Sequence, residues 1–358
     1  MVESIEQMPT NICNTALNLL RFLVSIMYEC RYIRMTSLLP SISEYSIPAL
    51  TELFEYFFYG IILFFGSDGP GAEDAVVKLK AVLDEISAHF LFGEAGSSNK
   101  LPEERLRFAT PKICVGLDLS NFDQLYGIAE RIVAVESVEF VARQLYLVRP
   151  VMESLLPKQS EKITSSLDRF YGSVLSVVGD TRCLVYSCVT SRALNFSLLI
   201  RAISNTKWDV DELQSHHSGY VDIVIKDFQE FSLRLERATK SIHVSDSVRT
   251  LLWDQTIFYT FKALVQGYCE SGRCSTEGRA LMQLDFQHLL LKLEPICGLH
   301  PIPHCSFVEG YIKAFYLPEN GLEEWIHKHS EYTSKQMISL LGVATHVSRK
   351  ARTRIIML

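Results

Sequence analysis

The sequence predicts an all-α fold of about ten helices, and three observations carry that expectation. Apolar residues recur in steps of three, four and seven along most of the chain. Ser, Asp or Asn repeatedly precedes an apolar run, often with an acid three residues on, the arrangement in which a side chain accepts from an orphan N–H of a helix's first turn. Only 18 glycines and 12 prolines interrupt 358 residues, which favours long helices. With 48% hydrophobic and 21% charged residues the chain can fill one large or two medium cores, so disorder is excluded as its overall state.

Taken in order, the N-terminus (MVESIEQ) has acids where an export signal needs a basic region, so export by that route is not expected. Residues 56–65 (YFFYGIILFF) are intensely apolar but only ten long, against about 20 for a membrane span, and read as a buried helix. Residues 93–112 have the Gly, Ser and charge content of a flexible loop. Ser120 with Asp123 marks a helix start ahead of Leu125, Ile128, Ile132, Val133 and Val135. Residues 174–189 are rich in β-branched side chains yet are read as helical, because no partner strand is evident. Asp209 with Glu212 reads as a capping box for a helix carrying Leu213, Tyr220, Val221, Val224, Ile225, Phe228, Phe231 and Leu235. Ser245 caps the next, with Val248, Leu251, Leu252 and Ile257, and Asn320 with Glu323 starts one carrying Leu322, Trp325 and Ile326. Residues 279–294 (RALMQLDFQHLLLKLE) are apolar on two faces, one with Leu281, Leu284 and Leu291 and another with Phe286, Leu289, Leu290 and Leu293, so this is expected to be the central helix of the C-terminal half. Stops are expected at Pro40, Pro150, Pro157, Gly272, Pro295, Pro301, Pro303 and Pro318. The division expected is an N-terminal bundle over 1–178, with the loop near 93–112, and a C-terminal bundle over 179–358.

A net charge of −6 creates no global field that would gather nucleic acid, and none is expected as a partner. Nine scattered cysteines read as reduced thiols of a cytosolic protein rather than a disulfide framework, and Cys269 and Cys274 as packing residues. Phosphate-binding glycine loops, zinc-protease, serine-hydrolase and EF-hand patterns are all missing, which counts against an enzyme. Cys297, His300, His304 and Cys305, with His288 upstream, could close a tetrahedral zinc site; the plainer reading is a proline-stiffened loop with incidental cysteines. His217 is assigned to the apolar row of its helix and His216 to solvent. From Lys335 to the end the chain carries Lys335, Arg349, Lys350, Arg352 and Arg354, with His346 and no acid. Such an end can meet an anionic membrane or an acidic partner, at about 1 kcal/mol per cation, or form a solvated face, or complete a helix C-terminus.

Residues 207–231 (KWDVDELQSHHSGYVDIVIKDFQEF), 274–326 (CSTEGRALMQLDFQHLLLKLEPICGLHPIPHCSFVEGYIKAFYLPENGLEEWI), 125–138 (LYGIAERIVAVESV) and 332–350 closely resemble, in order, the C-terminal domain of the syndetin family. The resemblance implies elongated, stacked helical bundles of the multisubunit-tethering-complex type. It implies a non-enzymatic subunit of the endosome-associated recycling protein complex (EARP), related to the Golgi-associated retrograde protein complex (GARP), acting in endocytic recycling to the plasma membrane. The partners implied are EARP or GARP subunits, SNAREs or endosomal proteins, at recycling endosomes or the trans-Golgi network. It transfers no catalytic residue, metal or cofactor. Residues 22–30 (FLVSIMYEC) interrupt a shorter family helix, and 353–358 (TRIIML) stand where an acidic, polar continuation is expected. The family's N-terminal coiled-coil region lies outside these 358 residues, so the chain alone is not expected to assemble the complex. The candidate partner or membrane surface is Trp325, Tyr332, Lys335, Arg349, Lys350, Arg352 and Arg354. The alternatives are a peripheral membrane-binding helical domain and a zinc-binding helical protein.

Overall fold

A computed structural model describes residues 41–66, 73–90, 118–155, 161–212 and 216–344, together with 347, 348, 352 and isolated positions between 17 and 25. The stretches 22–24, 26–30, 93–112 and 353–358 lie outside the described residues. Twelve α-helices occur among the described residues, with no strand and a single isolated bridge between Trp208 and Cys274. They are α1 (Ser41–Phe65), α2 (Glu73–Phe90), α3 (Ile128–Leu155), α4 (Glu161–Arg169), α5 (Asp180–Thr190), α6 (Phe196–Ser204), α7 (Gly219–Ala238), α8 (Asp246–Glu270), α9 (Thr276–Cys297), α10 (Cys305–Ala314), α11 (Glu319–Lys328) and α12 (Ser334–Val343). The all-α expectation is met. The chain divides into two compact units, Met1–Val189 with Ala238–Val244, and Thr190–Arg237 with Ser245–Leu358.

In the first unit α1 buries Ile47, Leu50, Phe54, Phe58, Ile61 and Phe65, spaced at three and four, and Ile62 beside them, against α2, α3 and α4. The segment Ile47–Phe65 is long and apolar enough to cross a membrane, but half of it is buried within the unit, as 56–65 suggested. Glu55 on this helix is also buried, which ties it to Arg169 of α4 at 2.8 Å. The start of α3 corrects the reading of Ser120 and Asp123. Ser120 bonds to Asp118, Asn121 Oδ1 accepts from the Asp123 N–H at 2.9 Å, and Leu125, Tyr126 and Gly127 take left-handed backbone at φ 47, 56 and 70. Those turn bonds occupy the groups a helix would use, so α3 begins only at Ile128. Pro150 does not stop α3, which runs on to Leu155. One missing N–H is outweighed by anchoring on both sides, where buried Tyr171 donates to the Leu145 carbonyl at 2.7 Å and Met152 is fully buried. Residues 170–190 are helical except for a turn at Val178 and Gly179, and they change winding, from a π-turn at Phe170–Val174 through a 3-10 turn at Leu175–Val177 to α5.

In the second unit the enclosed helix is α8, with Val248, Leu252, Trp253, Ile257, Phe261, Leu264, Val265 and Tyr268 buried, packed by α6, α10 and α12. This corrects the assignment of 279–294 as central. In α9 Leu281, Phe286, Leu289 and Leu293 are buried, while Leu284 and Leu291 are 48% and 69% exposed. Its end is Cys297 with Gly298 at φ 70, so Pro295 lies within the last turn rather than ending the helix. Ser245 caps α8 as expected, accepting from the Val248 N–H at 3.4 Å. Asn320 does not cap α11; Pro318 precedes it with extended ψ 162, and Glu319 is the first helical residue. Proline's fixed φ already suits that boundary. Asp209 and Glu212 start no helix, since α7 begins at Gly219, and Leu213 lies outside the described residues.

Candidate interaction site on the C-terminal helices

What replaces the expected cap at Asp209 is a clasp between two stretches remote in sequence. The Ser275 hydroxyl donates to the Val210 carbonyl at 2.7 Å, accepts from the Val210 N–H at 3.2 Å, and caps α9 by accepting from the Gly278 N–H at 3.0 Å. The Ser275 N–H donates to the Trp208 carbonyl at 3.1 Å. With its backbone so engaged, Trp208 is 1% exposed, its indole N–H donating to the Ile203 carbonyl at 2.9 Å and its ring meeting Tyr268 edge-on at 5.7 Å. Gly278 is required here, because any Cβ would collide with the Trp208 carbonyl. Tyr220 and Tyr268 share a hydroxyl hydrogen bond of 2.9 Å behind the indole. Asp285, buried nearby, accepts from the Ser218 N–H at 2.9 Å, and burial pushes its carboxyl above the ordinary range.

Beyond the clasp, α10, α11 and the connection between α11 and α12 carry an aromatic stack. Tyr332 lies on Phe307 at 4.7 Å and beside Trp325 at 5.0 Å, and Trp325 lies against His329 at 4.6 Å. The Tyr332 hydroxyl donates to the Phe307 carbonyl at 2.6 Å, and Thr333 with Gln336 forms a reciprocal capping box for α12. Tyr332 is 6% exposed, so it is a core residue rather than part of a partner surface; its ring closes the stack and its hydroxyl is taken. Trp325 is half-buried. Lys335 is exposed but pairs with Glu270 at 3.0 Å, and that hydrogen bond holds its ammonium above its ordinary value. Arg352 donates to the Ala344 carbonyl at 2.7 Å and the Val347 carbonyl at 3.1 Å, the helix-completing role open to a cation at this end. Arg349, Lys350, Arg354 and His346 lie outside the described residues.

The cysteine and histidine cluster is not assembled. Cys297 is buried, His300 pairs with Glu294 at 2.9 Å, and His304 pairs with Asp254 at 3.1 Å. The Cys305 thiol donates to the Ile302 carbonyl at 3.1 Å, and burial pushes it up to about 11. Among the described residues no three His, Cys, Asp or Glu side chains are placed to hold a metal ion. His288 instead stacks on His217 at 4.2 Å, which lies ahead of α7, half-buried and paired with Asp222, while His216 is exposed. Cys269 and Cys274 are both buried free thiols, raised by burial.

Sequence reasoning missed a groove of about 340 Å³ in the second unit. Its apolar lining is Phe196, Ile200, Tyr259, Ala263 and Phe307, with Lys262, Gln266, Glu331, Thr333 and Gln336 completing it. These positions come from α6, α8, α10, the approach to α12 and α12 itself, so no local spacing could have revealed it.

The fold and this site define an all-α domain class in which the described residues present a surface groove and no metal cluster. The profile of the family described as "Syndetin, C-terminal" matches residues 125–358. The chain is 35% identical over 96% of its length to syndetin of Mus musculus and to syndetin of Rattus norvegicus, and 34% identical to that of Gallus gallus. It belongs to the syndetin family, and its residues 125–358 correspond to the family's C-terminal domain. The chain spans 36% to 37% of the length of these relatives. No solved structure matches it.

Proposed function

We propose that this chain is a non-enzymatic interaction domain of a vesicle-tethering subunit, working in an EARP-type complex in endocytic recycling of cargo to the plasma membrane. Its place of action would be the cytoplasmic face of recycling endosomes or the trans-Golgi network, with other tethering subunits, SNAREs or endosomal proteins as partners. The observation that carries the reading is the 35% identity to mouse syndetin over 96% of the chain. The groove and the half-buried Trp325 supply surfaces on which such a domain could act.

The test is deletion of this region from the endogenous protein, followed by the rate at which an internalised surface receptor returns to the plasma membrane. Slower return with unchanged uptake is expected; unchanged return overturns the recycling role. The peripheral membrane reading is disfavoured by the engagement of Lys335 with Glu270 and of Arg352 with backbone carbonyls. Flotation with anionic vesicles should leave the chain unbound.

A further inference from the structure

We propose that the groove of the second unit is a docking site for a short linear peptide that presents a large apolar side chain next to an acidic one. Its volume, about 340 Å³, admits one or two large side chains, and Phe196, Ile200, Tyr259 and Phe307 offer them apolar contact. The walls are held in place before any peptide arrives. Asn195 caps α6 by accepting from the Leu198 N–H at 3.1 Å, and Tyr332 fixes the Phe307 carbonyl at 2.6 Å.

Charge selects the occupant. Lys262 is exposed, its ammonium lies 4.5 Å from the Phe258 ring centroid, and it makes no ion pair among the described residues. The other charge lining the groove, Glu331, is engaged by His329 at 2.6 Å. The two glutamines of the lining are also satisfied, Gln336 donating to Gln266 at 3.2 Å and Gln266 donating to Glu270 at 2.7 Å. The groove therefore offers a cation that lies on an aromatic ring but is paired with no carboxylate among the described residues, beside an apolar cleft, and a carboxylate next to an aliphatic or aromatic anchor complements both. A small polar metabolite would find few free donors or acceptors there.

The inference rests on reading the chain as an interaction domain, and the two fail separately, since peptide binding is measured in solution and recycling in cells. The probe is a set of fluorescein-labelled peptides in which a Leu, Phe or Trp anchor is followed by Asp, Asn or Lys, titrated against the whole chain by fluorescence anisotropy. Asp peptides should bind about tenfold more tightly than Lys peptides, Lys262→Glu should reverse that order, and Ile200→Trp, which fills the groove, should abolish binding of every anchor. Thermal melts confirm that both variants are folded, and the exposed Lys262 exchange remains decisive if Ile200→Trp is not. The proposal is overturned if anchored peptides bind no better than an all-Ala control, or if Lys262→Glu leaves the Asp-over-Lys order unchanged.

Discussion

In the first unit Glu55, 1% exposed, faces Arg169 at 2.8 Å, and the same guanidinium reaches Glu85 at 2.9 Å. In the second unit Arg279 and Asp285 are as deeply buried, six positions apart on one helix, yet neither makes an ion pair among the described residues. Arg279 lies over the rings of Phe315 and Tyr311, 5.0 and 5.5 Å from their centroids, and Asp285 takes a backbone N–H from Ser218. At this pair the first unit balances charge with charge, so its stability is exposed to pH and to loss of either partner, although its buried Arg131 is held by the Tyr126 and Phe65 carbonyls. The second holds isolated charges with dipoles and rings, so aromatic packing governs it.

The largest effect expected from this contrast is Trp208→Ala, which removes the indole packed against both Tyr220 and Tyr268 and should cost the second unit about 4 kcal/mol. All three tryptophans, Trp208, Trp253 and Trp325, lie in that unit, so fluorescence in a urea titration reads it alone and still has two reporters in the variant. Next comes the pH response of the first unit. Burial raises the Glu55 carboxyl from 4.5 to about 7, against the pull of Arg169. A carboxyl raised in the folded state contributes stability that is complete below its unfolded value of 4.5 and is lost as pH rises through about 7. Between those limits the first unit should lose about 2 to 3 kcal/mol, measured as hydrogen exchange in α1 corrected for intrinsic rates, and Glu55→Gln should flatten the slope. A flat wild-type profile would break the comparison.

Arg169→Met should cost about 2 kcal/mol at pH 8, the usual penalty for stranding a buried carboxylate being reduced because Arg169 is itself about one-third exposed. At pH 5.5, where Glu55 is already protonated, most of that loss should vanish. The smallest effect is expected for Arg279→Met, within about 1 kcal/mol, because no buried carboxylate depends on it. A loss above about 2 kcal/mol would mean that the cation over Phe315 and Tyr311 organises this region, and would bring the two units closer in design.

Two cap-like sequences show where local reading succeeds and fails. Ser245 and Asp209 both stand ahead of apolar periodic runs, and only Ser245 caps a helix. The Ser245 hydroxyl meets its near neighbour Ser247 at 3.0 Å and still caps the helix, whereas the backbone at Val210 is claimed by Ser275, 65 residues away. Similar competition displaced the expected start at Ser120, where Asn121 bonds organise a turn. The two-faced apolar pattern of α9 was legible, but not which face stays outside, because Leu284 and Leu281 are chemically alike and differ only in what packs on them. For the candidate site, Trp325, Tyr332, Lys335 and Arg352 were legible as residue types. That Tyr332 is internal, that Lys335 belongs to Glu270, and that Lys262 stands at a groove were not.

By itself the sequence determined the helical class, the apolar period of α7, the cap at Ser245 and the kinship carried by residues 125–358. These depend on neighbours within a turn or two, or on residues in linear order, so periodicity and resemblance suffice to read them. Tertiary structure alone decided that α8 is the enclosed helix, that the two stretches of the Trp208 clasp meet, and that the cysteines and histidines near Pro301 face different partners. Each of those outcomes turns on which donor, ring or carbonyl arrives from tens of residues away, and a buried polar group takes the partner that reaches it in the packed core rather than the nearest one along the chain.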